Sequence, residues 1–303
     1  MNRTSTPPGR KATVLAEGFS FLESPRWHDG RLHVSDFFNR RLLAFDEQFN
    51  STTICNVPGQ PSGTGWLPDG SLLISSMLDR RVLRFADGDF TEYADLSDLA
   101  EWHCNDMTVD EAGRAYIGNF GWDDTTSDRI ESTEIHCIEP DGRVSVAATD
   151  LVFPNGMAIS ADGATFLVAE TFAARISAFD RADDGTLSNR RTWASFTSEQ
   201  PASLAAVCAS GVPLPDGIAF DAEGALWIGD AGGRGALRVA EGGEILDVVS
   251  SGEQASYAVA LGGADRQTLF ICAAVPYGVG DPSERFESRL LSAPVDVPGV
   301  GLP

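Results

Sequence analysis

Four oxygen-bearing side chains recur at one place in this sequence. Counting back eight residues from a turn glycine lands on Asn105 (from Gly113), Asn155 (from Gly163) and Asp216 (from Gly224), and counting back seven from Gly30 lands on Glu23. Two carboxylates and two amides pressed together without a counter-ion would be costly, because like charges and unpaired polar groups both lose hydration. A bound hard cation removes the conflict. An all-oxygen set with no Cys or His suits Ca²⁺, Mg²⁺ or Mn²⁺, and three protein ligands with water can also hold Zn²⁺. Whether the four meet depends on the elements that carry them.

Those elements form a repeat. Six segments read as the second strand of a hairpin: "RLHVSD", "SLLISS", "RAYIGN", "ATFLVAE", "ALWIGD" and "QTLFICA". Their turns centre on Gly30, Gly70, Gly113, Gly163, Gly224 and the pair Asp265-Arg266, at intervals of 40, 43, 50, 61 and 42 residues. A short strand, an acidic-Gly turn and an alternating strand at this period predict one four-stranded antiparallel sheet per unit, an all-β six-bladed β-propeller. The predicted domain spans residues 13–303 after a loose tail at 1–12. Helical signals are confined to "LSDLAEW" (96–102) and "EQPASLAAV" (199–207).

In such a fold the innermost strands line a central channel, so side chains at one register converge at one mouth. The phrases "FPNGMAIS" and "LPDGIAFD" contain Asn-Gly and Asp-Gly, which alone would signal hairpin turns. Each already has its turn eight residues on, so Asn155 and Asp216 stand where the chain enters an inner strand. The antiparallel neighbour returns to the same rim, which predicts Asp36, Ser76, Asn119, Glu170 and Asp230 close behind.

Composition narrows the partners. A formal net charge of -22 repels nucleic acid and anionic lipid, so a small-molecule ligand is expected. No apolar run approaches a membrane helix and the first residues lack a signal-peptide core, so the expected location is the cytoplasm. The five cysteines, odd in number and never spaced as C-x-x-C, indicate reduced thiols. Nothing in the sequence fixes an oligomeric state.

Over residues 16–294 the chain resembles the SMP-30/gluconolactonase/luciferin-regenerating-enzyme family, through "LESPRWHDGRLHVSD", "CNDMTVDEAGRAYIGNFG", "FPNGMAISADGATFLVAET" and "LPDGIAFDAEGALWIGDAGG". The resemblance implies a six-bladed propeller with a divalent metal, Ca²⁺ first, in the channel. It implies Glu23, Asn155 and Asp216 as ligands, Asn105 touching substrate or metal through water, and Asp216 as general base for lactone hydrolysis. One position departs: sugar-lactonase members carry Arg where this chain has His103 in "HCND". A neutral imidazole and a cationic fork of five donors recognise different groups.

Competing chemistries lack their signatures: there is no G-x-S-x-G, H-E-x-x-H, P-loop or strand-to-helix G-x-G-x-x-G. A metal-dependent lyase, isomerase or other esterase, and a non-catalytic propeller with a structural metal, are the alternatives. Cys104, adjacent to His103, is expected to face away as a buried inert thiol. His103, Asn105, Asn119, Trp122 and Glu170 are the substrate-side candidates. Trp102, Phe120, Trp122, Phe153 and Phe172 serve either as an apolar wall or as core between sheets. The insertion at 193–214 and the segment "GNFGWDDTTSDRIEST" are candidate lid loops.

Overall fold

The computed structural model describes residues 9–233, 235–276 and 282–301. The six sequence units appear as six sheets in a ring, with inner strands Leu22–His28, Pro61–Trp66, Cys104–Val109, Pro154–Ile159, Pro215–Phe220 and Ala255–Gly262. Each inner strand lies against the next, and the sixth returns to the first. The turn glycines at 30, 70, 113, 163 and 224 all adopt positive φ, as does Arg266 in the sixth hairpin. Glycine takes that conformation at no steric cost, so the repeat marked in sequence is a repeat of turn geometry.

The sheets pack face to face, and the strands that lie between them are apolar on both sides. Leu226, Trp227 and Ile228 are all buried, with Leu226 and Ile228 against Leu167, Ala169 and Ile176 of the fourth sheet and Trp227 against Val259, Leu269 and Ile271 of the sixth. Burying each such side chain contributes about 1.5–3 kcal/mol. Four of the six sheets are built from one continuous stretch of chain, and the fifth adds only a two-residue strand, Arg10–Lys11, from the N-terminal segment. The last takes its outer strand from the N-terminus: Thr13–Phe19 pairs antiparallel with Ser288–Pro294 and closes the ring.

Two sequence expectations need correction here. Residues 1–8 of the expected tail lie outside the described residues, but Arg10–Lys11 forms a parallel strand on Ile245–Ser250, and Ala12 is buried. Its backbone finds partners on the neighbouring sheet, which a loose tail would not. Residues 96–102 make tight turns rather than a helix, whereas the 193–214 insertion does contain one, Leu204–Ala209.

The Pro-Asn/Asp-Gly phrase has a packing explanation. Neither Gly156 nor Gly217 adopts positive φ. A Cβ on Gly156 would lie 2.6 Å from the Asp216 carbonyl oxygen, and one on Gly217 would lie 2.6 Å from the Ala258 Cβ. The inner strands approach too closely at the channel for any side chain. Gly156→Ala is therefore expected to destabilise the fold by about 1–3 kcal/mol, the usual cost of overpacking. A urea midpoint unchanged by the substitution would show that these strands can separate freely.

Candidate functional site

Where the inner strands begin, a cavity of about 680 Å³ opens, and Glu23, Asn105, Asn155 and Asp216 all line it. Each is less than one-tenth exposed. At the other end of the channel residues 298–301 cross over, with Val300 N–H donating to Phe220 O at 3.4 Å, leaving a void of only about 30 Å³.

Every inner strand loses register with its neighbour just after it starts, between Glu23 and Arg26, Pro61 and Thr64, Cys104 and Met107, Pro154 and Met157, Pro215 and Ile218, and Ser256 and Ala258. Such irregularities re-aim side chains that strict alternation would send outward. In the third sheet this leaves both Asn105 and Asp106 buried. Asp106 accepts from Arg26 Nη2 at 2.9 Å and from Ser24 Oγ at 3.1 Å. Arg26 also donates to the carbonyls of Thr64 and Met107. Sequence reasoning missed this pair. The available signal was that Asp106 occupies the register held by glycine in Asn155-Gly156 and Asp216-Gly217.

Hydrogen bonds fix the amides across sheet boundaries. Asn105 Nδ2 donates to Pro154 O at 3.2 Å; Asn155 Nδ2 donates to Thr171 Oγ1 at 3.3 Å, and that hydroxyl donates to Pro215 O at 2.8 Å. With its nitrogen so occupied, Asn155 has its amide oxygen left for ligation.

The carboxylates are strained electrostatically. Burial pushes the Glu23 carboxyl up to about 8, with the charge on Asp106 adding to the effect while the Ser24 N–H and Arg26 oppose it. Burial also raises Asp216 well above the usual carboxylate range, reinforced by Glu23 and then Asp106. Asp216 Oδ1 is buried with no hydrogen-bond partner. Two buried acids that cannot both ionise, one with an orphaned oxygen, fit a divalent cation, which would supply both the missing partner and the missing charge. Among the described residues no three His, Cys, Asp or Glu side chains form a ligand cluster, and a cation held here would need the amide oxygen of Asn155 beside the carboxylates.

Three substrate-side expectations fail on position. Asn119 donates to Glu134 O and accepts from Gly121 N–H and the Thr133 hydroxyl, so its amide is consumed by its own sheet. Glu170 accepts from Arg175, Arg190, Ser177 and the Val152 N–H. Burial opposes its charge, but the bonds and charges of Arg175, with Ser177 and Arg190, prevail and hold its carboxyl below the usual range. Neither lines the cavity, and Trp122 is buried behind Phe153 and Phe172. Three residues at this register instead tether the chain that enters the inner strand of their own sheet: Asp36 binds Ser20 N–H, Glu170 binds Val152 N–H, and Asp230 binds Leu214 N–H.

Other candidates stand at the cavity. His103 does line the cavity, stacked on Trp102 at 4.7 Å, and burial lowers its basicity. Trp102, Phe120, Phe153 and Phe172 form wall. Cys104 is fully buried, its thiol pushed up to about 12 by burial, and all five cysteines are unpaired. His28 and His33 pack on Trp66, outside the cavity lining. The two candidate lid loops are joined: Asp128 accepts from the N–H groups of Leu204 and Ala205 at the start of the insertion's helix.

The chain has relatives among known proteins over most of its length. Residues 21–275 match the family model described as SMP-30/Gluconolactonase/LRE-like region. The chain belongs to this family. A pentonolactonase of Haloferax volcanii is 29% identical over 88% of this chain and 86% of its own length. A 6-deoxy-6-sulfogluconolactonase of Pseudomonas putida is 26% identical over 89% and 87%. The crystal structure of a calcium-binding protein, regucalcin, from Agrobacterium tumefaciens superimposes with a TM-score of 0.78 at 20% identity, covering 97% of each chain. Family membership thus agrees with the all-β six-bladed fold read from the repeat. No helix among the described residues is long and apolar enough to cross a membrane.

Proposed function

We propose that this chain is a divalent-cation-dependent hydrolase that opens a lactone or related cyclic ester. The observation that carries the reading is Asp216, a buried carboxyl with an orphaned oxygen in the cavity lining, beside Glu23 and two amides. Relatives named as lactonases along nearly the whole chain support it. Glu23, Asn155 and Asp216 would hold the ion, Ca²⁺ first, with Mg²⁺, Mn²⁺ or Zn²⁺ as alternatives. Such an ion supplies Lewis-acid polarisation of the ester carbonyl and a more acidic water.

The protein's own groups do the rest. Asp216 takes a proton from the attacking water and returns it to the leaving alkoxide as the ring C–O bond breaks. Asn105, oriented by its bond to Pro154 O, offers its second N–H to the developing oxyanion. His103 meets the substrate at the rim. The product is a hydroxy acid, which ionises at neutral pH and releases one proton per turnover. Base consumption by the Ca²⁺-loaded protein over a panel of lactones tests the reading. Failure to open any lactone faster than buffer would overturn it.

A further inference from the structure

We infer that the cavity selects neutral lactones bearing an aromatic or alkyl body over polyhydroxylated ones. The inference rests on the hydrolase reading above and concerns what surrounds the polar floor. One wall is made by Phe21, Phe37, Phe38 and Tyr257, with Phe21 stacked on Phe37 at 5.6 Å and 4.6 Å from Tyr257. Facing it are Phe120, Phe153 and Phe172, whose neighbouring ring centroids are 4.5 Å apart. Met77, Leu78, Trp102 and Leu214 complete the lining between them. Phe21, Phe37, Phe38, Trp102 and Phe120 keep part of their surface open to solvent, and Leu78 is 39% exposed.

Apart from the floor and the polar side chains Gln60, His103, Asp123, Asp124 and Thr125, the hydroxyls that line the cavity are already engaged. The Tyr257 hydroxyl donates to Val275 O at 2.8 Å, and the Thr171 hydroxyl donates to Pro215 O. No Lys or Arg is found among the described lining residues. A hydroxyl-rich lactone would surrender water on both faces to phenyl rings without replacement, and each unpaired hydroxyl is penalised on burial. An aryl or alkyl body would instead cover wall surface that is otherwise wet. Asp123 and Asp124 at the rim disfavour an anionic substrate and repel the carboxylate product, so neutrality is part of the selection.

The test uses the Ca²⁺-loaded protein and reads base consumption with a benzo-fused δ-lactone and a hexyl-substituted γ-lactone against glucono-δ-lactone and a pentono-γ-lactone. Each kcat/KM is divided by the spontaneous hydrolysis rate of that lactone. The apolar pair is expected to exceed the sugar pair by at least about tenfold, a discrimination within reach of apolar contacts alone. Phe38→Asn, a wall change away from the floor, should raise KM for the apolar pair while leaving kcat in place. A ratio below tenfold, or sugar lactones favoured, overturns the inference. If neither class is opened, the hydrolase reading fails, and calorimetry with the corresponding uncleavable lactams decides separately. Tighter binding of the benzo-fused lactam by tenfold sustains the apolar preference, and equal or weaker binding overturns it.

Discussion

Asp216→Asn is expected to lower kcat/KM for lactone opening by about 10³-fold while the protein stays folded. Asparagine keeps the shape and one oxygen of aspartate, so the inner strand and its close contact with Gly156 are preserved. What disappears is the proton acceptor, together with the charge that burial and Glu23 already disfavour. The chelated variant should therefore unfold at a urea concentration no lower than the chelated parent, since one of the buried carboxyls that oppose each other's charge is gone. Loss of rate with retained stability separates a chemical role from a structural one. A variant within about threefold of the parent rate would show that the proton goes elsewhere and would sink the assignment.

Fold and site were legible in the sequence to different depths, for different reasons. The six hairpins were legible because each depends on a local requirement, a residue with positive φ between two alternating strands, and local requirements leave local marks. Glu23, Asn105, Asn155 and Asp216 were found through the same register. Closure of the ring by Thr13–Phe19 was not, because pairing with Ser288–Pro294 is a contact between chain ends with no turn to announce it.

Asp106 was hidden for another reason: alternation places neighbours on opposite faces, and the irregularity after Cys104 breaks that rule where it matters. Asn119 and Glu170 end the second strands as expected, but their side chains are engaged away from the cavity. Asn119 satisfies the Gly121 N–H just after its own strand and Glu170 the Val152 N–H at the entry to an inner strand, and sequence register cannot tell a group facing a ligand from one facing the chain. Glycine in the Asn-Gly and Asp-Gly pairs shows the same limit in reverse. Its familiar turn chemistry is unused there, and close approach of strands explains it.

Removing divalent ions is expected to abolish hydrolysis, and restoring Ca²⁺ to recover it. Binding to the folded state alone adds about 2.7 kcal/mol of stability when the ion is at 100 times its Kd. The loaded protein should accordingly melt several degrees above the chelated one. The physical source is the floor itself: Glu23 and Asp216 are buried together, Asp106 adds a third negative charge, and Arg26 is bonded to Asp106. That one cation offsets Asp106 and only partly Glu23, which leaves the floor with more negative charge than positive. Glu23→Gln removes one of those charges and should erase most of the Ca²⁺-dependent rise in melting temperature, whereas the same change at Glu134, which lines no part of the cavity, should leave it intact. Full activity in chelator would exclude the metal-dependent mechanism. A Ca²⁺-dependent rise in melting temperature beside chelator-insensitive activity would instead make the ion a brace for the inner strands, with Asp216 acting unaided.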